Sequence, residues 1–193
     1  DMIRLPGLAG TLRAIAEGGA DAFYKGWIAD SIAADMARNG GLISKEDLAA
    51  YRAVERAPIR GEFRGYTVYA MAPPSSGGVA MVQILNILDR LNVGASDRYS
   101  PRTLHLMIEA TRRAFLDRAR FLGDPDFVKV PVEKLTSKAY AAQLAREIDT
   151  TRASKSEALA PDLMHVAEAE HEETTHISVV DKDRNMVSFE PSL

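Results

Sequence analysis

The sequence predicts a helix-rich α/β fold from two kinds of pattern. Several long segments repeat apolar residues at the three- and four-residue spacing of a helix, and two shorter segments have the turn residues and alternation of β-hairpins. Of the 193 residues, 46% are apolar and 26% are charged, so the chain can bury one substantial core.

Composition argues against several classes of function. With a formal net charge of −3, the chain lacks the excess of basic residues that is typical of nucleic-acid-binding proteins. The absence of cysteine excludes disulfides and thiolate metal ligands, and no apolar run reaches membrane-spanning length. His105, His165 and His171 lack the spacing of metal ligands. We therefore expect neither nucleic acid, nor a membrane-spanning segment, nor a metal among the requirements of this chain.

The first 51 residues are predicted to form three helices. Pro6 begins the first, and Gly18-Gly19 ends it. A second starts near Asp21 and stops at Asn39-Gly40-Gly41. Ser44, followed three residues later by an aspartate, indicates a capping box for a short helix ending near residue 51.

A hairpin and three further helices follow. Residues 58–72 alternate and contain Arg64-Gly65, which favours a β-hairpin. Residues 79–91 are strongly apolar and predict a buried helix, and residues 140–148 predict the last one. Ser100 caps the longest helix, with Pro101 at its first position. The apolar stripe predicted to face the core in that helix consists of Leu104, Ile108, Thr111, Phe115 and Leu122.

Charged residues of the longest helix are interpreted as a solvated surface with weak pairing. They are Arg112, Arg113, Asp117, Arg118 and Arg120.

Pro73-Pro74-Ser75-Ser76-Gly77-Gly78 precedes the apolar helix. The favoured interpretation is a tight turn with close packing. Anion binding by amides at the helix start is the alternative.

The last 44 residues differ in composition from the rest of the chain. Residues 150–173 have few large apolar side chains and predict a solvated, mobile polar tether before the next element. Residues 174–180 and 186–189 predict two strands of a hairpin. If the turn position of Arg184 requires a positive φ, an arginine there costs on the order of 1 kcal/mol.

Thr174 stands at the start of that hairpin and is a candidate nucleophile. A threonine hydroxyl needs an adjacent base, and its own α-amine can serve if the chain is cut between Glu173 and Thr174. That amine titrates near pH 8, so much of it is neutral at physiological pH. An ordinary strand threonine is the alternative from these residues alone. Thr175 and His176 are candidates for lining the site, although a strand-lining histidine is the simpler interpretation of His176.

Over nearly its whole length, the chain resembles the γ-glutamyltranspeptidase family of N-terminal-nucleophile hydrolases. The Pro-Pro-Ser-Ser-Gly-Gly run and Thr174-Thr175-His176 are its most specific motifs. Other matching segments, in the same order as in the family, are Asp21–Gly26, Gly40–Ile43, Asp47–Tyr51 and Asp117–Pro125. The match in the last segment implies that Asp117 and Arg118 form an internal pair.

The resemblance implies a self-cleaving precursor and a partial αββα sandwich. Residues 1–149 would form the C-terminal helical part of a large subunit, 150–173 the tether before the cleavage site, and 174–193 the first strands of a small subunit. Thr174 would attack γ-glutamyl amides such as glutathione, without a metal or organic cofactor. Ser192 would take the place of a hydroxyl that supports the nucleophile, although Pro191 beside it removes a backbone donor.

Family members are roughly three times as long, so the resemblance also implies that this chain is an inactive fragment. Its partners would be the remainder of its own subunits and small γ-glutamyl substrates, and exposed apolar surface would favour self-association. The resemblance favours a periplasmic or secreted location, and the residues leave a cytoplasmic one open. The alternatives are a cephalosporin-acylase-type amidase and a non-catalytic scaffold.

Overall fold

The computed structural model describes residues 4–93, 99–162 and 177–189. Within these ranges the chain divides into two compact units, with the boundary between Arg56 and Ala57. The first unit contains three helices, and the second contains two hairpins and the remaining helices. The helix-rich character predicted from the sequence is confirmed.

The first unit consists of α1 (Pro6–Tyr24), α2 (Trp27–Asn39) and α3 (Lys45–Ala50). The predicted break at Gly18-Gly19 is confirmed, because Gly19 leaves the helical region at φ 63° and ψ −154° and divides α1 into two helical segments. The second segment follows directly, as predicted near Asp21, but it ends at Tyr24. The predicted helix from Asp21 to Asn39 is therefore interrupted, and α2 begins at Trp27, after Gly26.

Both predicted caps in this unit are confirmed. Gly40 follows α2 in the left-handed conformation with φ 74°, which lets the chain reverse after the helix. At the start of α3, the Ser44 hydroxyl accepts a hydrogen bond from the Asp47 amide at 3.1 Å, and the Asp47 carboxylate accepts one from the Ser44 amide at 2.9 Å. The Ser44 hydroxyl also donates to the Asp47 carboxylate at 2.7 Å, and this bond together with the one from the Ser44 amide lowers the pKa of Asp47.

The second unit begins with the predicted hairpin, β1 (Ile59–Phe63) and β2 (Tyr66–Ala70). Arg64 and Gly65 form its two-residue turn, and both have positive φ, at 51° and 82°. That combination matches the right-handed twist of the flanking strands. The strands pair antiparallel from Ile59 opposite Ala70 to Phe63 opposite Tyr66.

Helix α4 (Gly77–Arg90) is the central element of this unit. It contacts β1, β2, α5 (Pro101–Phe121), α6 (Val132–Leu135) and α7 (Lys138–Arg146). Ile87 on α4 packs with Leu106 on α5 and Leu144 on α7, and Val79 and Val82 pack with Ile59 and Leu135. The remaining elements are α8 (Ser156–Leu159) and the hairpin β3 (Ile177–Val180) with β4 (Met186–Phe189).

The predicted inner face of α5 is wrong. Leu104, Ile108 and Phe115 are 44%, 58% and 51% exposed. The face that packs against the core instead carries small and charged residues. Its buried members are Thr103, Leu106, Glu109, Ala110, Arg113, Ala114 and Asp117.

Candidate functional site

The predicted site residues lie outside the described residues. These are Glu173, Thr174, Thr175, His176 and Ser192. The structure does describe the chain up to Asp162, which leads toward the predicted cleavage position, and the hairpin from Ile177, which follows it. The candidate site is therefore built from these two flanks and from the helices that hold the first of them.

Glu109 is the centre of the first flank. Its carboxylate is fully buried on α5 and accepts hydrogen bonds from Arg113 Nη1 at 2.6 Å and Arg112 Nη1 at 3.0 Å. It also accepts from the Ser154 hydroxyl at 2.6 Å and the Ser154 amide at 3.1 Å. We call Glu109, Arg112, Arg113 and Ser154 the Glu109 clamp.

The clamp fixes the charge state of Glu109. Burial by itself raises the pKa of this carboxyl, but the hydrogen bonds from Ser154 and the charge and hydrogen bond of Arg113 outweigh it and lower the pKa to about 2. Arg113 is also buried, and its Nη2 donates to the Glu147 carbonyl at 3.1 Å. Glu109 is therefore ionised at every physiological pH.

Further contacts hold the chain beyond Ser154 to α5. Arg112 Nη1 donates to the Ser154 carbonyl at 2.5 Å, and its Nη2 donates to the Ser156 hydroxyl at 2.9 Å. Arg120 pairs with Asp162 at 2.6 Å, which lowers the pKa of Asp162. Residues 154–162 are thus held to α5 at Ser154, Ser156 and Asp162, while most of their side chains are exposed to solvent.

The interpretation of the α5 charges as a solvated surface is wrong for Arg113, which is 3% exposed, while the expectation that Asp117 lies inside is confirmed by its 5% exposure. Asp117 accepts hydrogen bonds from Gln83 Nε2 at 2.5 Å and the Tyr140 hydroxyl at 3.2 Å. Burial and the neighbouring Asp117 raise the pKa of Tyr140 to about 12, so this phenol stays neutral and donates. The network ties α5 to α4 and α7.

Arg118 makes a different described contact from the predicted pairing with Asp117. Its Nε donates to the Ser76 hydroxyl at 3.0 Å, and its guanidinium lies 5.7 Å from the centre of the Phe115 ring. Ser76 is the residue before α4, so this bond joins the start of α4 to α5. An open groove of about 480 Å³ lies beside it, lined by Ser76, Gly77, Ala80, Met81, Ile84, Leu85, Phe115 and Arg118.

The structure supports the interpretation of the Pro73–Gly78 run as close packing. A Cβ built on Gly78 would lie 2.0 Å from the Met71 carbonyl oxygen and 3.0 Å from the Ala70 Cβ. Only a residue without a side chain lets α4 start this close to the end of β2. The groove beside this helix start is lined mostly by apolar side chains.

On the second flank, β3 and β4 pair antiparallel, from Ile177 opposite Phe189 to Val180 opposite Met186. The Asp181 carboxylate organises the turn by accepting hydrogen bonds from the Asp183 and Asn185 amides at 2.8 and 2.9 Å. It also accepts from the Asn185 side chain at 2.7 Å, and these bonds lower its pKa. The predicted hairpin is confirmed over 177–189.

Arg184 in this turn has φ 64°, the left-handed region suspected from the sequence. We expect Arg184→Gly to raise the free energy of unfolding of the whole protein by about 1 kcal/mol, because glycine reaches this conformation without steric cost. Denaturant unfolding measures the change. Lys182→Gly, in the same turn without a positive φ, is the matched control and should lower stability slightly. A loss of stability in both variants would contradict the assignment of strain to Arg184.

Among residues 4–93, 99–162 and 177–189, no group of three or more His, Asp or Glu side chains could hold a metal ion. His105 contacts the Asp149 carbonyl at 2.8 Å. None of the described helices is both long and apolar enough to cross a membrane.

The sequence reasoning overlooked two residues of the clamp, Glu109 and Ser154. A glutamate three and four residues before two arginines is a helical spacing that favours pairing, so Glu109 had a usable signal. Ser154 had none, because it meets Glu109 only through the tertiary fold.

The chain is similar to known proteins over nearly its whole length. The gamma-glutamyltranspeptidase family model matches residues 1–193. The chain is 54% identical over 181 residues to the glutathione hydrolase proenzyme of Escherichia coli (strain K12), covering 94% of this chain and 31% of that protein. It is 42% identical over 180 residues to the acylase ACY 1 proenzyme of Pseudomonas sp. (strain SE83), covering 93% and 31%.

This chain is also similar to a solved structure from the same family. The crystal structure of Helicobacter pylori gamma-glutamyltranspeptidase matches with a TM-score of 0.78 and 40% identity, covering 89% of this chain and 49% of that chain. The present chain spans about a third of the length of the curated relatives it matches.

Proposed function

The chain belongs to the gamma-glutamyltranspeptidase family, and from that premise we propose that it is part of a self-processing γ-glutamyltranspeptidase. Its helix-rich α/β fold is part of the N-terminal-nucleophile hydrolase fold of this family. In this proposal the complete protein cleaves γ-glutamyl amides such as glutathione and transfers the γ-glutamyl group to water, an amino acid or a peptide.

One observation carries the proposal: the family match extends through Thr174-Thr175-His176, the position at which the residues themselves allow an N-terminal nucleophile. Several relatives are named proenzymes, which agrees with a precursor that is cut. Residues up to Glu173 would then end the large subunit, and Thr174 would begin the small one.

The proposed cleavage is an N→O acyl shift. The Thr174 hydroxyl oxygen attacks the Glu173 carbonyl carbon, the peptide C–N bond breaks, and the nitrogen takes the hydroxyl proton to become an amine. Water then hydrolyses the ester, which leaves a carboxylate on Glu173 and restores the Thr174 hydroxyl. The liberated amine is the base that the hydroxyl lacked.

In turnover, the Thr174 amine takes the hydroxyl proton while the oxygen attacks the γ-carbonyl of the substrate. The amine of the substrate leaves with a proton, and a γ-glutamyl ester of Thr174 remains. Water or an acceptor amine attacks that ester, so ping-pong kinetics are expected. Thr175 and His176 would line this site, and the Ser192 hydroxyl would support the nucleophile.

The remainder of the two subunits is the proposed partner. It would cover the exposed apolar side of α4 and α5, where Met81, Ile108 and Phe115 are 40%, 58% and 51% exposed. Apolar area of this kind is usually an interaction surface.

The test uses the full-length protein. Wild type should resolve by intact mass into two chains split before Thr174 and release nitroaniline from γ-glutamyl-p-nitroanilide. Thr174→Ala should remain a single chain and lose activity by a factor of about 10³ or more, because both reactions need the hydroxyl. Thr67→Ala, an exposed threonine on β2, is the control for substitution alone.

Cleavage at another bond, or turnover at the wild-type rate by Thr174→Ala, would refute the proposal. A two-chain protein that cleaves other amides but no γ-glutamyl donor would keep the self-processing threonine and refute the substrate.

A further inference from the structure

We propose that the open groove between α4 and α5 binds an apolar segment with an acidic side chain, supplied by the remainder of the same polypeptide. The acidic side chain pairs with Arg118. This inference rests on the function proposed above, in which the chain is part of a longer protein, and it names the chemistry of that partner. We call this surface the α4–α5 groove, and the residues that line it are Ser76, Gly77, Ala80, Met81, Ile84, Leu85, Phe115 and Arg118.

The apolar side chains of α5 indicate that this side of the helix is covered in the complete protein. Leu104, Ile108 and Phe115 follow one another at helical spacing and are exposed, while mostly small and charged residues of α5 face the core. A helix at a solvent-exposed surface normally has the opposite arrangement. The exposed stripe reaches the α4–α5 groove at Phe115, where Met81 and Ile84 of α4 continue it. Both helices therefore offer one continuous apolar surface to a partner.

Arg118 determines the charge of the α4–α5 groove. It is the one charged side chain among the described residues that line the groove. Its Nε donates to the Ser76 hydroxyl at 3.0 Å, and its guanidinium lies 5.7 Å from the centre of the Phe115 ring, so the positive charge is held at the edge of the apolar lining.

The chemistry of a guanidinium selects an acidic partner. A guanidinium has five N–H donors in one plane, and a carboxylate can accept two of them at once. A segment that covers the α4–α5 groove also withdraws the Arg118 charge from water, which is costly unless an opposite charge accompanies it. The segment that fits this surface therefore combines apolar side chains with an aspartate or a glutamate.

The remainder of the same polypeptide is the occupant that the lengths of the relatives favour. The chain spans about a third of the length of the curated relatives it matches, so most of such a protein lies outside it. A segment of the same polypeptide occupies the groove at every protein concentration. A second copy of the chain would occupy it only as the concentration rises, so dilution distinguishes the two.

The experiment measures how fast a thiol in the α4–α5 groove reacts in the folded full-length protein. Met81→Cys introduces the thiol, residues 1–193 contain no other cysteine, and the wild-type protein gives the background rate. The reaction with an aromatic disulfide reagent is followed by absorbance, and the same variant unfolded in denaturant gives the unprotected rate. We expect the folded protein to react at least about 100-fold more slowly, because the covering segment must first move away. Dilution should leave this protection unchanged.

Three substitutions in the Met81→Cys protein test the acidic partner. Arg118→Gln removes the charge and should lower the protection about tenfold, because hydrogen bonds to charged groups are the stronger ones. Arg118→Lys keeps the charge and should restore part of the protection. Ser76→Ala is the matched control, since it removes the bond to Arg118 Nε but leaves the charge in place. It should change the protection less than Arg118→Gln does.

If Met81→Cys does not fold, Ile84→Cys in the same groove replaces it in all of these measurements. A folded protein that reacts close to the unprotected rate would overturn the inference. Protection that disappears on dilution would assign the groove to a second copy and overturn it as well. Equal protection with Arg118 and with Arg118→Gln would refute the acidic side chain.

Failure of the proposed function is separately visible. In that case the wild-type protein remains uncut or releases no nitroaniline, whatever the reactivity of the thiol at position 81. Conversely, a protein that is cut before Thr174 and turns over the γ-glutamyl donor, but leaves the thiol unprotected, would refute only the inference about the α4–α5 groove.

Discussion

Replacing Gly78 with alanine is expected to lower the free energy of unfolding by about 3 kcal/mol or more. The added Cβ would lie 2.0 Å from the Met71 carbonyl oxygen, and that neighbour is backbone at the end of β2, not a movable side chain. Relief requires α4 to move away from the β1–β2 hairpin. Because α4 also packs on α5 and α7, the displacement would disturb those two contacts as well.

Gly77→Ala is the matched control one residue earlier. Gly77 is exposed, and the nearest atom to its added Cβ is the Ser75 hydroxyl oxygen at 3.8 Å, an ordinary contact. Alanine also favours a helix over glycine by up to about 1 kcal/mol. Thermal and denaturant unfolding of the two full-length variants should therefore differ in sign. Equal stability of Gly78→Ala and wild type would show that β2 and α4 are not in close contact.

Local chemistry made much of this fold predictable from the sequence. The Ser44 hydroxyl accepts from the Asp47 amide and the Ser100 hydroxyl accepts from the Thr103 amide, so each satisfies a helix-start amide three residues further along the chain. Arg64-Gly65 supplies a turn whose geometry depends on two residues alone. In each case the decisive atoms lie within four positions in the chain, so no knowledge of the tertiary fold is needed.

The face of α5 could not be predicted in the same way. Counting large apolar residues selected Leu104, Ile108 and Phe115, yet the helix packs on the core with Ala110, Ala114 and paired charges. A small residue lets two helices approach closely, and a charge can be buried when a partner in another element satisfies it. Those partners, Gln83, Tyr140 and Ser154, are 23 to 45 residues away in the chain.

The same distinction between local and tertiary information applies to the candidate site. Thr174 is a candidate because the chemistry of an N-terminal nucleophile requires only the residue and the bond before it, and the family resemblance favours it over an ordinary strand threonine. The clamp was not identified, because it depends on residues 109 and 154 meeting in space. Thr174, Ser192 and the residues beside Thr174 lie outside the described ranges, so their roles remain proposals.

Glu109→Ala is expected to lower the free energy of unfolding of the whole protein by about 3–5 kcal/mol at neutral pH, because it leaves the buried Arg113 guanidinium without its carboxylate. Glu109→Gln keeps the shape of the side chain and should lose less. Glu62→Ala is the control: its ion pair with Arg60 is exposed at 3.3 Å, and such pairs contribute about 0–1 kcal/mol. Denaturant unfolding of the three variants measures the contrast.

The pH dependence of the free energy of unfolding shows whether Glu109 stabilises the protein through its charge. The pKa of Glu109 is lowered from an ordinary value of 4.5 to about 2 in the folded protein, so the unfolded chain binds this proton more readily. The stabilisation is complete above pH 4.5 and is lost as the pH falls from there toward about 2. The gap in stability between wild type and Glu109→Gln should therefore narrow over that range and stay constant above it. A gap that does not change with pH would show that Glu109 stabilises the fold by packing and not by its charge.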